Sequence, residues 1–210
     1  MTRWNRLNAA LALGLAVVSV SMGTPVPLAL GAVVSAGAVL ALSGRLNLPN
    51  AVTFLRLLLV VGALVMAWRQ PALVLPFVLA AWVLDGLDGW LARRLKQDSP
   101  FGALFDQETD AGLVLLLCVE LVVTRGFGPW VLIAGALRYA LVLAQLLATR
   151  PIPERRSTWG RAVFSFSYLS LASALLTELD AVTIVAVPAG LGLLLFSFAP
   201  DFLAVARARG

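Results

Sequence analysis

An all-α protein that crosses a membrane several times is what this sequence predicts, and two observations carry the prediction. Hydrophobic residues make up 60% of the chain and charged residues only 13%, with a mean hydropathy of +0.93. A soluble domain carries about a quarter charged residues. The apolar residues also come in runs of about 20, the length that spans a bilayer as helix, and turn-forming clusters separate the runs.

Eight candidate spanning helices follow in order: 7–23, 26–43, 51–68, 71–94, 101–124, 128–149, 160–177 and 181–203. The first follows the basic start "MTRWNR" and resembles the apolar centre of a signal peptide. No A-x-A-like site follows it, and "SMGTPVP" leads straight into the second run, so the reading favours a retained helix. The third run follows "SGRLNLPN", the fourth "RQP", the fifth "QDSPFG", the sixth "RGFGP" and the seventh "TRPIPERRSTWG". Each break is rich in Gly, Pro, Asn or Ser, which punctuate helices. The eighth run follows the acidic pair Glu178 and Asp180. No stretch between the runs is long enough for a soluble domain, and no internal repeat is visible.

Several function classes drop out. The formal charge of +5 is not gathered into a basic run on a soluble face, so nucleic acid is not an expected partner; the bilayer is. Cys118 has no second cysteine to pair with and reads as a small buried hydrophobe. The absence of histidine excludes imidazole catalysis and His-ligated metals.

Basic residues orient the chain. With the N-terminus in the cytoplasm, Arg3, Arg6, Arg45, Arg93, Arg94, Lys96, Arg150, Arg155, Arg156, Arg161, Arg207 and Arg209 fall on the cytoplasmic side. The other side holds only Arg69 and Arg125. That asymmetry predicts an inner, cytoplasmic membrane with both termini in the cytoplasm. It leaves Arg56 and Arg138 within helices, where a charge is costly and usually faces a cavity or a partner.

The fourth and fifth runs hold an acidic constellation. Asp85 and Asp88 are three apart and share a helix face; Asp106 and Asp110 are four apart and share a face of the next helix. The short link "KQDSPFG" makes the two helices antiparallel, so four carboxylates converge near the cytoplasmic end. Uncompensated, they would repel one another and favour their protonated forms. One or two divalent cations remove the conflict, and all-oxygen ligation suits Mg²⁺, Mn²⁺ or Ca²⁺ rather than zinc. Glu108 is out of phase with Asp106 and Asp110 and reads as structural. Asp98 reads as a cap for the helix near Pro100, and Glu120 as the partner of a basic group. Gly86, Gly89, Gly102 and Gly112 lie on or beside the acidic faces, where small residues allow close approach of helices or ligand.

From Asp85 the pattern reads D-x-x-D-G-x-x-A-R, then eight residues, then G-x-x-x-D-x-x-x-D. Asp85, Asp88, Gly89, Ala92, Arg93, Gly102, Asp106 and Asp110 fill it. This resembles the signature of the CDP-alcohol phosphotransferase (phosphatidyltransferase) family. "NLPNAVTFLR", Asn47 to Arg56, resembles the segment that opens the family's first core helix. The resemblance implies two domains: residues 1–46, two transmembrane helices outside the family core, and residues 47–210, the six-helix core. It also implies a reaction. A CDP-linked lipid, typically CDP-diacylglycerol, gives its phosphatidyl group to a small alcohol, and CMP leaves. By analogy Asp85, Asp88, Asp106 and Asp110 bind Mg²⁺ or Mn²⁺, as two ions, and Asp110 is also the general base. Gly89, Ala92, Arg93 and Gly102 would line the CDP pocket with Asn50 and Thr53. The active site would face the cytoplasm, and the reading admits a homodimer.

The acceptor is read from the remaining cations. Arg138 and Arg161 are the candidates for a phosphorylated acceptor such as glycerol 3-phosphate or inositol phosphate, with Arg150, Arg155 and Arg156 near by in sequence. "STWGRAVFS" loosely resembles the Ser-x-x-Gly-Lys stretch of phosphatidylglycerophosphate synthases, with Arg161 for the lysine and Phe164 where a threonine is usual. Serine, inositol and choline stay open as unphosphorylated acceptors. A transporter is the alternative class, although no broken-helix pair marks matching halves. Arg138 sits about ten residues into its run from either end, so roughly 15 Å deep. Two partners are open to it: Glu120 in the preceding helix, or an acceptor phosphate in a cavity shared with Arg161.

Overall fold

A computed structural model describes residues 3–67, 74–148, 158–175 and 181–208. These form α1 (Arg3–Met22), α2 (Val26–Ser43), α3 (Leu48–Ala67), α4 (Val74–Arg94), α5 (Pro100–Arg125), α6 (Leu132–Ala144), α7 (Thr158–Ala174) and α8 (Ala181–Arg207). No strand is present among the described residues. Arg69, Arg150, Arg155, Arg156, Glu178, Asp180 and Arg209 lie outside them.

The punctuation behaves as its chemistry requires. Gly44 ends α2 and Gly126 ends α5, both in the left-handed conformation that glycine adopts without penalty. Asn47 opens α3, its side chain accepting from Asn50 N at 3.0 Å. Ser99, not Asp98, caps α5: its hydroxyl accepts from Gly102 N at 2.9 Å, and Pro100 follows at the first helical position. The sixth run is shorter than its hydropathy suggests. Gly128 and Pro129 open a separate 3₁₀ turn, Pro129–Val131, before α6 begins, and a second turn, Gln145–Leu147, follows it.

The axial helix is α5, buried without interruption from Ala111 to Leu121 and in contact with α1, α2, α3, α6 and α7. A helix apolar on all sides belongs in a core. The outer helices turn large side chains outwards: Val17, Leu42 and Phe196 are 71%, 89% and 72% exposed. Among the described residues five segments are long and apolar enough to cross a membrane: α1, α2, Leu48–Val65 of α3, Pro129–Leu147 (α6 with its two flanking turns) and Thr183–Arg207 of α8; α4 and α5, with their acidic residues, and the short α7 are not among them. The chain is a polytopic all-α membrane protein, with α5 at its axis and α4 at its edge, packed along α3.

Gly135 sets the register between α5 and α6. A Cβ there would lie 2.5 Å from Leu115 Cα, so the two backbones touch. In an antiparallel pair that contact puts Arg138 near the level of Gly112. Glu120 then lies about eight residues, roughly 12 Å, farther along the pair. Arg138 is six residues, about 9 Å, from the end of α6 and nine residues from Leu147, where the following turn ends.

Candidate active site

Thr53 and Arg56 sit three residues apart on α3, which packs closely along α4. Thr53 donates its hydroxyl proton to Asp88 Oδ2 at 2.8 Å. Asn50, one turn earlier, is anchored by a bond from its Nδ2 to Arg45 O at 2.8 Å. Gly102 of α5 passes beside it; a Cβ at Gly102 would lie 3.0 Å from Asn50 Oδ1. These contacts fix the start of α3 against the turn between α4 and α5.

The four aspartates meet as their spacing requires. Ligand atoms of Asp85, Asp88 and Asp106 lie within 4.8 Å of one another, a cluster that could hold a metal ion. Behind them is a cation that the motif does not contain. Arg56 reaches Asp85 through one terminal nitrogen, with Asp88 Oδ2 at 3.6 Å from the same atom. Its other terminal nitrogen donates to Asp106 Oδ1 at 2.8 Å and Asp110 Oδ1 at 2.6 Å. The Arg56 side chain is only 1% exposed, whereas those of Asp85, Asp106 and Asp110 are 39%, 36% and 23% exposed. The guanidinium therefore backs the carboxylates, whose other sides stay open. One positive charge against four negative leaves an excess of three. An all-oxygen, anionic, accessible donor set of this kind fits a hard divalent cation.

The open side is a cavity of about 1260 Å³. The structure brings all twelve sequence-predicted site residues to its wall: Asn50, Thr53, Asp85, Asp88, Gly89, Ala92, Arg93, Gly102, Asp106, Asp110, Arg138 and Arg161. Gly86 lines it too and would meet nothing with a Cβ, while Gly112 packs on Tyr139. Arg56 and Asp201, the latter on α8 and also on the cavity wall, are the residues that sequence reasoning did not assign. Arg56 carried a signal, since an arginine in an apolar helix at i+3 from Thr53 needs a partner; Asp201 carried none.

The remaining acids separate by phase. Glu108 is 3% exposed and accepts from Arg138 at 3.2 Å and from Asn8 at 2.9 Å. The expected Glu120–Arg138 pair is absent because the Gly135 contact sets the two residues at different levels. Glu120 is buried, and its Oε2 has no hydrogen-bond partner among the described residues. Phe164 lines the cavity and stacks on Tyr168 with ring centroids 6.3 Å apart.

The CDP-alcohol phosphatidyltransferase family model matches residues 46–196. The chain belongs to that family. It is 38% identical over 93 residues to the CDP-diacylglycerol–glycerol-3-phosphate 3-phosphatidyltransferase of Cereibacter sphaeroides, covering 41% of this chain and 42% of that one. It is 34% identical over 140 residues to the enzyme of the same name from Pseudomonas fluorescens, covering 60% and 70%. It is 33% identical over 88 residues to CDP-diacylglycerol–inositol 3-phosphatidyltransferase 1 of Arabidopsis thaliana, covering 42% and 38%. The chain thus spans less than half the length of the first and third of these relatives. No solved structure matches it. The family match begins within the link between α2 and α3, so both N-terminal helices precede it.

Proposed function

We propose that the chain transfers the phosphatidyl group of CDP-diacylglycerol to glycerol 3-phosphate, with release of CMP, at the cytoplasmic face of the inner membrane. The observation that carries this reading is a single cavity bearing four convergent aspartates and two separate arginines, Arg138 and Arg161. Residues 47–210 are read as the catalytic domain and residues 1–46 as a two-helix addition; the start of the family match at residue 46 supports that division.

Asp85, Asp88, Asp106 and Asp110 would hold the divalent ions. Bound there as one or two Mg²⁺ or Mn²⁺, the metal supplies the positive charge that neutralises the diphosphate and the leaving CMP. An excess of three negative charges supports two ions, which turn the site weakly positive towards an anionic substrate. Gly89, Ala92 and Gly102 leave room for the CDP moiety, with Asn50, Thr53 and Arg93 at its edge. The acceptor hydroxyl oxygen attacks the phosphatidyl phosphorus. Its proton passes to Asp110, and the bond to the CMP oxygen breaks with the electron pair leaving on CMP. Arg138 and Arg161 would bind the acceptor phosphate. The relative named for inositol keeps an unphosphorylated alcohol as a second reading.

Release of CMP from CDP-diacylglycerol, measured against glycerol 3-phosphate, inositol phosphate, inositol and serine, tests the proposal. Activity should vanish in EDTA and return with Mg²⁺ or Mn²⁺. Asp110→Asn should abolish transfer while CDP-lipid binding persists. Turnover in EDTA sinks the metal assignment, near-normal turnover of Asp110→Asn sinks the base, and release with inositol alone favours the second reading.

A further inference from the structure

The α1–α2 hairpin precedes the family region, yet its Asn5, Asn8 and Ser35 side chains point into the protein. Asn5 and Asn8, three apart on one face of α1, both reach Glu108 of α5. Asn8 Nδ2 donates to Glu108 Oε2 at 2.9 Å. Asn5 is fully buried; with its amide nitrogen facing the carboxylate it lies 3.1 and 2.6 Å from the two oxygens. Ser35 of α2 supports Asn8, its hydroxyl donating to Asn8 Oδ1 at 2.8 Å, and Trp4 Nε1 donates to Ser35 Oγ at 3.3 Å. On its other side Glu108 accepts from Arg138 at 3.2 Å, and Arg138 is on the wall of the large cavity. The chain of contacts therefore runs from α2 through α1 and α5 to an arginine on α6 that faces the site.

Burying two amides in an apolar bundle is unfavourable unless their hydrogen bonds are made. A hairpin that served only as an anchor would carry apolar residues here. The amides have a specific effect on the carboxylate. A lone buried glutamate beside an arginine closes onto the guanidinium fork with both oxygens. Amide bonds to those oxygens hold the carboxylate in one orientation and oppose that closure.

We propose that Asn5 and Asn8 are positioning residues for the acceptor: they clasp Glu108, and Glu108 in turn aims Arg138 at the acceptor phosphate. The proposal rests on Arg138 binding the acceptor. It gives the N-terminal hairpin a part in acceptor affinity, with no part in the handling of CDP-lipid.

The test uses the full-length protein in detergent with CDP-diacylglycerol, glycerol 3-phosphate and Mg²⁺. The variants are Asn5→Ala with Asn8→Ala, Ser35→Ala and Arg138→Lys. For each, the KM of both substrates, kcat and the unfolding temperature are measured. The double variant should raise the acceptor KM about tenfold, the scale of one or two lost hydrogen bonds, and leave the CDP-diacylglycerol KM within twofold. Arg138→Lys should shift the same constant. If the double variant does not fold, Ser35→Ala, which loosens Asn8 without touching Glu108, should still raise the acceptor KM at least twofold. An unchanged acceptor KM in the folded double variant or in Ser35→Ala overturns the clasp. So does a parallel rise in both KM values with a loss of stability. If Arg138→Lys raises the acceptor KM and the asparagine variants do not, the clasp fails while the acceptor reading stands. If Arg138→Lys leaves the acceptor KM unchanged, the acceptor reading fails and the clasp with it.

Discussion

Replacing Arg56 with glutamine removes a cation that touches four aspartates at once, and the size of the effect follows from the burial of each partner. Asp85 and Asp106 are more than a third open to the cavity, so water screens their share and little is counted for them. Asp88 and Asp110 are 6% and 23% exposed, and the guanidinium itself 1%. Removing one member of a buried ion pair costs about 3–5 kcal/mol; with two of the four partners discounted, the low end, about 3 kcal/mol, applies. A chain of this size shifts its midpoint by about 2–4 °C per kcal/mol, so Arg56→Gln should unfold about 6–12 °C lower when no divalent ion is present. Added metal acts on the same carboxylates. An ion at a hundredfold its Kd stabilises by about 2.7 kcal/mol, and it should stabilise the variant more than the wild type, because the variant's aspartates lack their rear counter-ion. The assay is tryptophan fluorescence during heating, in EDTA and in excess Mg²⁺. An unchanged midpoint of Arg56→Gln in EDTA, or the same Mg²⁺-induced rise in both proteins, would refute the idea that arginine and metal share one set of charges.

Three further outcomes are expected. Gly135→Ala forces a methyl to within 2.5 Å of Leu115 Cα, which cannot rotate away, and should cost about 1–3 kcal/mol; a wild-type midpoint would mean that α5 and α6 are not in backbone contact. Glu120→Leu removes a buried carboxylate, one oxygen of which lacks a hydrogen-bond partner among the described residues while Arg125 attracts the group, and should change stability by no more than about 1 kcal/mol; a clear loss would mean that the attraction to Arg125 outweighs the burial of the unpaired oxygen. A reporter active only outside the cytoplasm, fused to the C-terminus, should give no signal, whereas a strong signal would contradict the orientation read from the basic residues.

The fold class and the helix order were legible because lipid imposes a simple rule: apolar runs of spanning length, separated by turn residues, become helices. Boundaries were legible where a glycine conformation enforces them, as at Gly44 and Gly126, but α3 begins after the Asn47 cap, three residues before the apolar run that marked it. They were not legible at the sixth run, where hydropathy carries through Pro129 but the backbone does not. The convergence of Asp85, Asp88, Asp106 and Asp110 followed from local spacing and one short turn. Arg56 was recognisable as a buried cation in want of a partner, but nothing local to α3 says that its partners lie on α4 and α5. Asp201 comes to the cavity through the packing of α8, and α8 meets the other helices through contacts that no local pattern encodes.

The acids of α5 show where such reading stops and why. Successive helix positions turn by about 100°, so Glu108 faces roughly 200° away from both Asp106 and Asp110. Phase alone therefore separates the two aspartates at the cavity from the glutamate that faces α1 and α6, and the sequence carries that separation in full. Which glutamate of α5 Arg138 meets depends on how far α6 slides along α5, a degree of freedom that helical phase does not constrain. The contact between Gly135 and Leu115 sets it. One turn of sliding would bring Arg138 about 5.4 Å nearer to Glu120 and away from the cavity aspartates. The absence of a side chain at position 135 is thus a condition for having Arg138 and Asp110 on the wall of one cavity. Bulk there should weaken acceptor binding as well as stability, whereas Glu120→Leu, at a level the cavity does not reach, should alter stability alone.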